Sequence, residues 1–124
     1  MVLTADDVDA ASRWYADLLG ITPYYRSPEI GPCAYTEFRI GPDDDELGIM
    51  DRSFMTPSSS STTSPITYWH TDDIHTTFTT LVAHGARTHT PTTARGGGFT
   101  TASIVDPFGN TVGIMHSPHW RARH

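Results

Sequence analysis

Cys33 is the only cysteine among 124 residues, which excludes an intramolecular disulfide and any need for an oxidising compartment. It is expected to pack as a small, half-buried apolar group. A Lys/Arg cluster is also missing: eight basic against fourteen acidic residues give a formal charge of −6 without the basic stripe that a nucleic-acid surface requires. No apolar run reaches the roughly 20 residues of a membrane helix, and the N-terminus has no charged, apolar, small-residue leader pattern. These absences together lead to the expectation of a cytoplasmic chain that contacts neither nucleic acid nor membrane. Its partner would be a small neutral, cationic or aromatic molecule. The hydrophobic fraction is low at 37%, but Thr and Ser make up much of the difference, and the length suffices for one domain, residues 1–124, with one core.

What is present is a duplication. Gly41-Pro-Asp-Asp-Asp-Glu-Leu-Gly-Ile-Met50 and Asp106-Pro-Phe-Gly-Asn-Thr-Val-Gly-Ile-Met115 both place Pro second and finish on Gly-Ile-Met, at a constant offset of 65 residues. The stretch Thr4–Gly20 runs alongside His70–Gly85, with an offset of 66 at its start and 65 at its end, so one residue is lost within the helix. Two long copies are too few for a solenoid and imply a pseudo-twofold domain. Module one spans residues 1–51, a Ser/Thr-rich linker 52–65, module two 66–116 and a tail 117–124.

In module one, Met1–Thr4 reads as a short strand. Asp6 or Asp7 offers an N-cap to a helix that carries Val8, Ala11, Tyr15 and Leu18 at helical spacing and stops at Gly20. Trp14 is expected to serve helix-to-sheet packing. Residues 21–26 read as extended and 27–32 as a loop. Ala34–Ile40 alternates as a half-buried strand, placing Tyr35, Glu37 and Arg39 on the face away from the helix, and the acidic turn 42–45 leads to the strand Glu46–Met50. Module two reads as a strand over 66–71 and a helix from Asp73 with Ile74, Phe78 and Leu81 inward. Strands over 86–90, 99–105 and 111–115 follow. Gly96-Gly-Gly98 lacks phosphate-loop spacing and is expected to form a flexible lip or tight turn; the tail histidines are taken as surface residues, since Pro118 breaks any helical spacing.

Strand–helix–strand–strand–strand stated twice, with Asp-Asp at each helix entrance, Trp-Tyr-Ala-Asp-Leu-Leu-Gly at the first helix end and Asp-Pro-Phe-Gly-Asn before the last strand, resembles the vicinal oxygen chelate superfamily. That group includes glyoxalase I, bleomycin resistance proteins and extradiol dioxygenases. The resemblance implies an α+β fold in which two βαβββ modules form an incomplete barrel around a cavity with the helices outside. It also implies a homodimer, in some members one that exchanges modules. Metal-dependent members carry their ligands on the first and last strand of each module. Here the last-strand positions fall on Gly48 and Gly113, and the first-strand position of module two falls on Ile66. Its counterpart in module one would precede Met1. No metal or other cofactor is therefore expected, since a divalent ion needs at least three donors.

Residues two apart on a strand share a face, so the expected cavity lining comprises Tyr35, Arg39, Met50, Tyr68 and Met115. This mostly aromatic and thioether wall suits an aromatic or apolar organic ligand. His70, with Glu37 or Glu46 across from it, forms the candidate catalytic set. Three functions follow as expectations. The first is a metal-free binding protein. The second is a lyase or dioxygenase-type enzyme that uses His70, Glu37 and Glu46 as acid/base groups or as ligands of a displaced divalent metal. The third is a structural or regulatory dimer whose cavity is filled by its own side chains.

Overall fold

Asp7 and Asp73 start the two helices in the same way. In the computed structural model, which describes residues 1–54 and 66–118, each has extended backbone, and their carboxylates accept from the N–H groups of Ala10 at 3.0 Å and Thr76 at 3.1 Å. A first helical turn leaves such donors unpaired, and an aspartate in this position satisfies one of them. Helix α1 (Val8–Leu19) buries Val8, Ala11 and Tyr15, and α2 (Ile74–Ala83) buries Ile74 and Leu81; Leu18 and Phe78 are only half-buried. Trp14 packs edge-on against Tyr15, with ring centroids 4.8 Å apart.

The strands are β1 (Val2–Ala5), β2 (Tyr25–Ser27), β3 (Tyr35–Ile40) and β4 (Asp45–Asp51), then β5 (Tyr68–His70), β6 (Arg87–Gly96), β7 (Phe99–Val105) and β8 (Thr111–His116). They form two four-stranded sheets, ordered β1-β4-β3-β2 and β5-β8-β7-β6. In each sheet the first strand runs parallel to the last, and the other pairings are antiparallel. The chain divides into two units, residues 1–62 and 63–124. Each contains one βαβββ module, so the α+β class and the duplicated module expected from the sequence are both observed.

Register carries the duplication down to single residue pairs: Val2 lies opposite Gly48, and Tyr68 lies opposite Gly113. On the helix side, module one buries Leu3, Ala5, Phe38, Leu47 and Ile49, with α1 against β1, β3 and β4. Module two buries Ala102, Ile104, Val112 and Ile114, with α2 against β6, β7 and β8. Each large apolar side chain so buried contributes roughly 1.5–3 kcal/mol. Thr36 shares the buried face of β3 because its hydroxyl donates to the Tyr25 carbonyl at 3.0 Å.

Several boundaries differ from the sequence reading. The strand expected over 86–90 runs on to Gly96 because Gly97 and Gly98 close a two-residue hairpin turn with φ of 61° and 84°. Both positions lie in the left-handed region that such turns require, and that glycine enters without strain. Pro91 is tolerated within β6 because the strand lies at a sheet edge and its register shifts between Thr90 and Thr93. The strand expected over 66–71 is confined to Tyr68–His70, and the extended stretch expected over 21–26 is a strand only from Tyr25, running one residue into the expected loop to Ser27. Arg52–Phe54, expected as linker, forms one 3-10 turn; the rest of the linker and residues 119–124 lie outside the described residues.

Arg26 organises the loop after β2. Its guanidinium donates to the carbonyls of Pro28, Glu29 at 3.3 Å and Gly31 at 2.7 Å, and it pairs with Asp9 at 3.0 Å. The second Asp9 oxygen accepts from the Cys33 N–H at 3.0 Å. The Cys33 thiol is buried, donating to the Tyr35 carbonyl at 3.2 Å. The Cys33 N–H first, and Arg26 second, hold the Asp9 carboxyl below the usual carboxylate range. Asp51 and Asp73 are lowered likewise, by Ser53 and Thr76 respectively. A depressed folded-state value means a contribution that is complete above the unfolded value of about 3.9 and is lost as pH falls through the folded one. The melting temperature should therefore change little between about pH 5 and 7 and drop below about pH 4. Asp9→Asn should give a shallower acid limb in a pH series of thermal melts; an unaltered limb would remove Asp9 from this account.

Candidate functional site

The candidate site residues lie on the face of each sheet turned away from its helix. In module one, pairing sets Val2, Gly48, Glu37 and Tyr25 in one row and Thr4, Met50, Tyr35 and Ser27 in the next, with Glu46 opposite Arg39 beyond them. The strand alternation thus brings Tyr35, Glu37, Arg39, Glu46 and Met50 together on one wall. The Tyr35 hydroxyl donates to Glu37 Oε1 at 2.9 Å. Arg39 Nη2 lies 3.3 Å from both Glu37 Oε2 and Glu46 Oε1. The guanidinium also sits over the Tyr24 ring, 4.6 Å from its centroid. The Glu37 side chain is 14% exposed and that of Glu46 is 56% exposed, so the first carboxylate is the one that depends on its partners. Burial first, and then the bond to Glu37, raises Tyr35 above the ordinary phenol value. Tyr35 is thereby held in its protonated form as a hydrogen-bond donor to Glu37.

In module two the corresponding face carries Tyr68 and His70 from β5, Thr111, Gly113 and Met115 from β8, and Thr101 and Ser103 from β7. His70 Nε2 lies 3.1 Å from Asp72 Oδ1, and its ring is 5.8 Å from that of His116. Within its own module the carboxylate beside His70 is thus Asp72, while Glu37 and Glu46 are both held by Arg39 in module one. The sequence reading passed over Asp72 because strand β5 ends at His70 and the chain bends back there, outside the alternation. It also passed over Tyr24, which precedes β2, and over the contact of His89 Nδ1 with the buried Ser103 hydroxyl at 2.8 Å. That contact depends on a register shift in β6, which leaves no sequence signal.

Two glycines complete the walls. A Cβ on Gly48 would stand 2.7 Å from the Tyr35 hydroxyl oxygen, and one on Gly113 would stand 2.5 Å from Cδ1 of Tyr68. Both distances are shorter than contacting atoms allow, so each glycine is the space in which a tyrosine ring lies against the strand. The coverage is not symmetric: Gly48 is overlain from β3, Gly113 from β5. Among the described residues no three His, Cys, Asp or Glu side chains are grouped as a metal ion would need.

Duplicated βαβββ modules, each with its helix on one face of its sheet, define a glyoxalase-like scaffold. The family model of the Glyoxalase/Bleomycin resistance protein/Dioxygenase superfamily matches residues 1–114, and the chain belongs to that superfamily. Similar solved structures include TioX from Micromonospora sp. ML1, at 17% identity and a TM-score of 0.73 over 94% of each chain. Lactoylglutathione lyase from Agrobacterium tumefaciens is similar at 21% identity and a TM-score of 0.71, over 97% of this chain and 92% of that one. A glyoxalase-related enzyme from Fulvimarina pelagi is similar at 20% identity and a TM-score of 0.70, over 97% of this chain and 87% of that one. At such identities the likeness is one of fold. No curated protein matches the sequence significantly.

Proposed function

We propose that the chain is a metal-free, small-molecule-binding member of its superfamily that holds an aromatic or apolar organic ligand against the helix-free face of a sheet. The supporting observation is the pair of glycines under tyrosine rings. At Gly48 and Gly113, where metal-dependent relatives are expected to carry ligands, there is no donor atom, and the space a donor would need is filled by Tyr35 and Tyr68. Ile66, the first-strand position of module two, has a hydrocarbon side chain. The residues present do not fit the ion. Each wall by itself suits an organic molecule: in module one Tyr35 and Met50 offer aromatic and polarisable surface and Arg39, with its two glutamates, oriented polar groups, and in module two Tyr68 and Met115 offer the same kind of surface. A cytoplasmic homodimer accords with this reading, given the single cysteine and the assembly habit of the superfamily.

A second reading draws on His70 and Asp72. An imidazole beside a carboxylate can transfer protons, and one structural neighbour is a lactoylglutathione lyase. In this reading the chain is a lyase or related enzyme that uses His70, with Asp72 beside it, as an acid/base group or as a ligand of a displaced metal.

Metal analysis of protein purified without chelator, together with a thermal-shift screen of planar and apolar compounds, separates the two. The binding reading expects well under one divalent ion per chain and a melting temperature that rises with ligand concentration. A stoichiometric ion that disappears in His70→Ala would replace that reading with the enzymatic one.

A further inference from the structure

We infer that Tyr68 is the residue that selects the ligand, and that the molecule it selects is a planar aromatic cation, bound one per chain. The inference rests on the binding reading above and adds to it a residue, a ligand charge and a stoichiometry.

Gly113 holds the Tyr68 ring flat on the strand, 2.5 Å from where a Cβ would stand, yet Tyr68 remains 41% exposed. One side of the ring is therefore spent on the backbone, and the exposure belongs to the side turned away from it. Tyr35 differs, because its hydroxyl is tied to Glu37 and its residue is half-buried. Tyr68 makes no hydrogen bond to any described residue, so an incoming molecule meets both an open ring face and an uncommitted hydroxyl. Met115, two residues beyond Gly113 on the same face of β8, adds a polarisable thioether. In module one the residue opposite Gly48 is Val2, so the duplicated fold builds this shelf only once.

Charge selects the kind of ring. The chain carries a formal charge of −6, with fourteen acidic against eight basic residues. A tyrosine face attracts cations, and the fold already makes such a contact where Arg39 lies 4.6 Å over Tyr24. A planar cation gains from stacking, from the ring quadrupole and from the overall field; a planar anion gains from stacking alone.

The test is fluorescence titration with 9-aminoacridine, a planar cation, alongside naphthalene-2-sulfonate, a planar anion, with far-UV circular dichroism to confirm that each variant is folded. The expected result is one 9-aminoacridine per chain, at least about tenfold weaker binding of the anion, and weakening of about tenfold or more in Tyr68→Ala. Tyr68→Phe should keep most of the affinity. Gly113→Ala should lose it although Tyr68 is intact, because the added methyl lifts the ring from the strand. Unchanged acridine binding in Tyr68→Ala would overturn the role of Tyr68 and leave the binding reading standing. Equal affinity for the anion, or two acridines per chain, would overturn the ligand charge or the stoichiometry. If no organic compound of any class raises the melting temperature, the binding reading itself fails.

Discussion

Asp106→Ala lowers the unfolding free energy by about 2–3 kcal/mol, because it leaves several donors around a buried turn without their acceptor. Asp106 is 2% exposed, and its carboxylate accepts from the N–H groups of Phe108 at 2.9 Å and Asn110 at 2.8 Å and from the Asn110 side-chain amide at 2.9 Å. The Asp-Pro-Phe-Gly-Asn turn is thus closed from inside by its first residue, and it sets the start of β8, which carries Gly113 and Met115. Asp106→Asn keeps one acceptor oxygen but turns an amide NH2 toward the other donors, so a smaller loss in the same direction is expected. Urea denaturation at pH 7 reads both: the midpoint moves down with an unchanged slope. A loss below about 0.5 kcal/mol in Asp106→Ala would mean that water replaces the carboxylate and that the turn holds itself.

Gly48→Ala costs about 1–3 kcal/mol in the native background and close to nothing once Tyr35 is also Ala. The added methyl would stand 2.7 Å from the Tyr35 hydroxyl oxygen and 3.0 Å from Cε1. A loose side chain could swing aside cheaply. Tyr35 is held by its bond to Glu37, and Glu37 in turn by Arg39, so moving the ring disturbs three residues. Without the ring, alanine fits a strand better than glycine, which loses more conformational freedom on folding. The double-mutant cycle over Gly48 and Tyr35 should therefore yield a coupling energy nearly as large as the single effect. Additive behaviour would show that the ring does not lie on Gly48 in solution, and would withdraw the main support for a blocked metal position.

Much of the fold was legible because its signals are local. The 65-residue offset, the aspartate ahead of each helix and the period-two alternation of Tyr35, Glu37 and Arg39 each concern neighbours in the chain, and each has its counterpart in the observed elements. The shortening of β5 and the extension of β6 were not legible. A strand ends or continues according to whether its partner offers a matching edge, and β6 continues because the Gly97-Gly98 turn returns β7 alongside it.

The site divides along the same line. That Tyr68, His70 and Met115 share a face follows from spacing and register together; that the carboxylate beside His70 in its module is Asp72 follows from a bend in the chain. By itself, the order of residues determined that two copies of one module exist, that glycine occupies positions 48 and 113, and which side chains alternate toward each face. Only the tertiary structure decided that Tyr35 on β3 covers one glycine and Tyr68 on β5 the other, and that Arg39 joins Glu37 and Glu46. Periodicity is a property of the backbone geometry and can be read along the chain. Contact across strands is set by register and side-chain direction, which non-local hydrogen bonding and packing determine together.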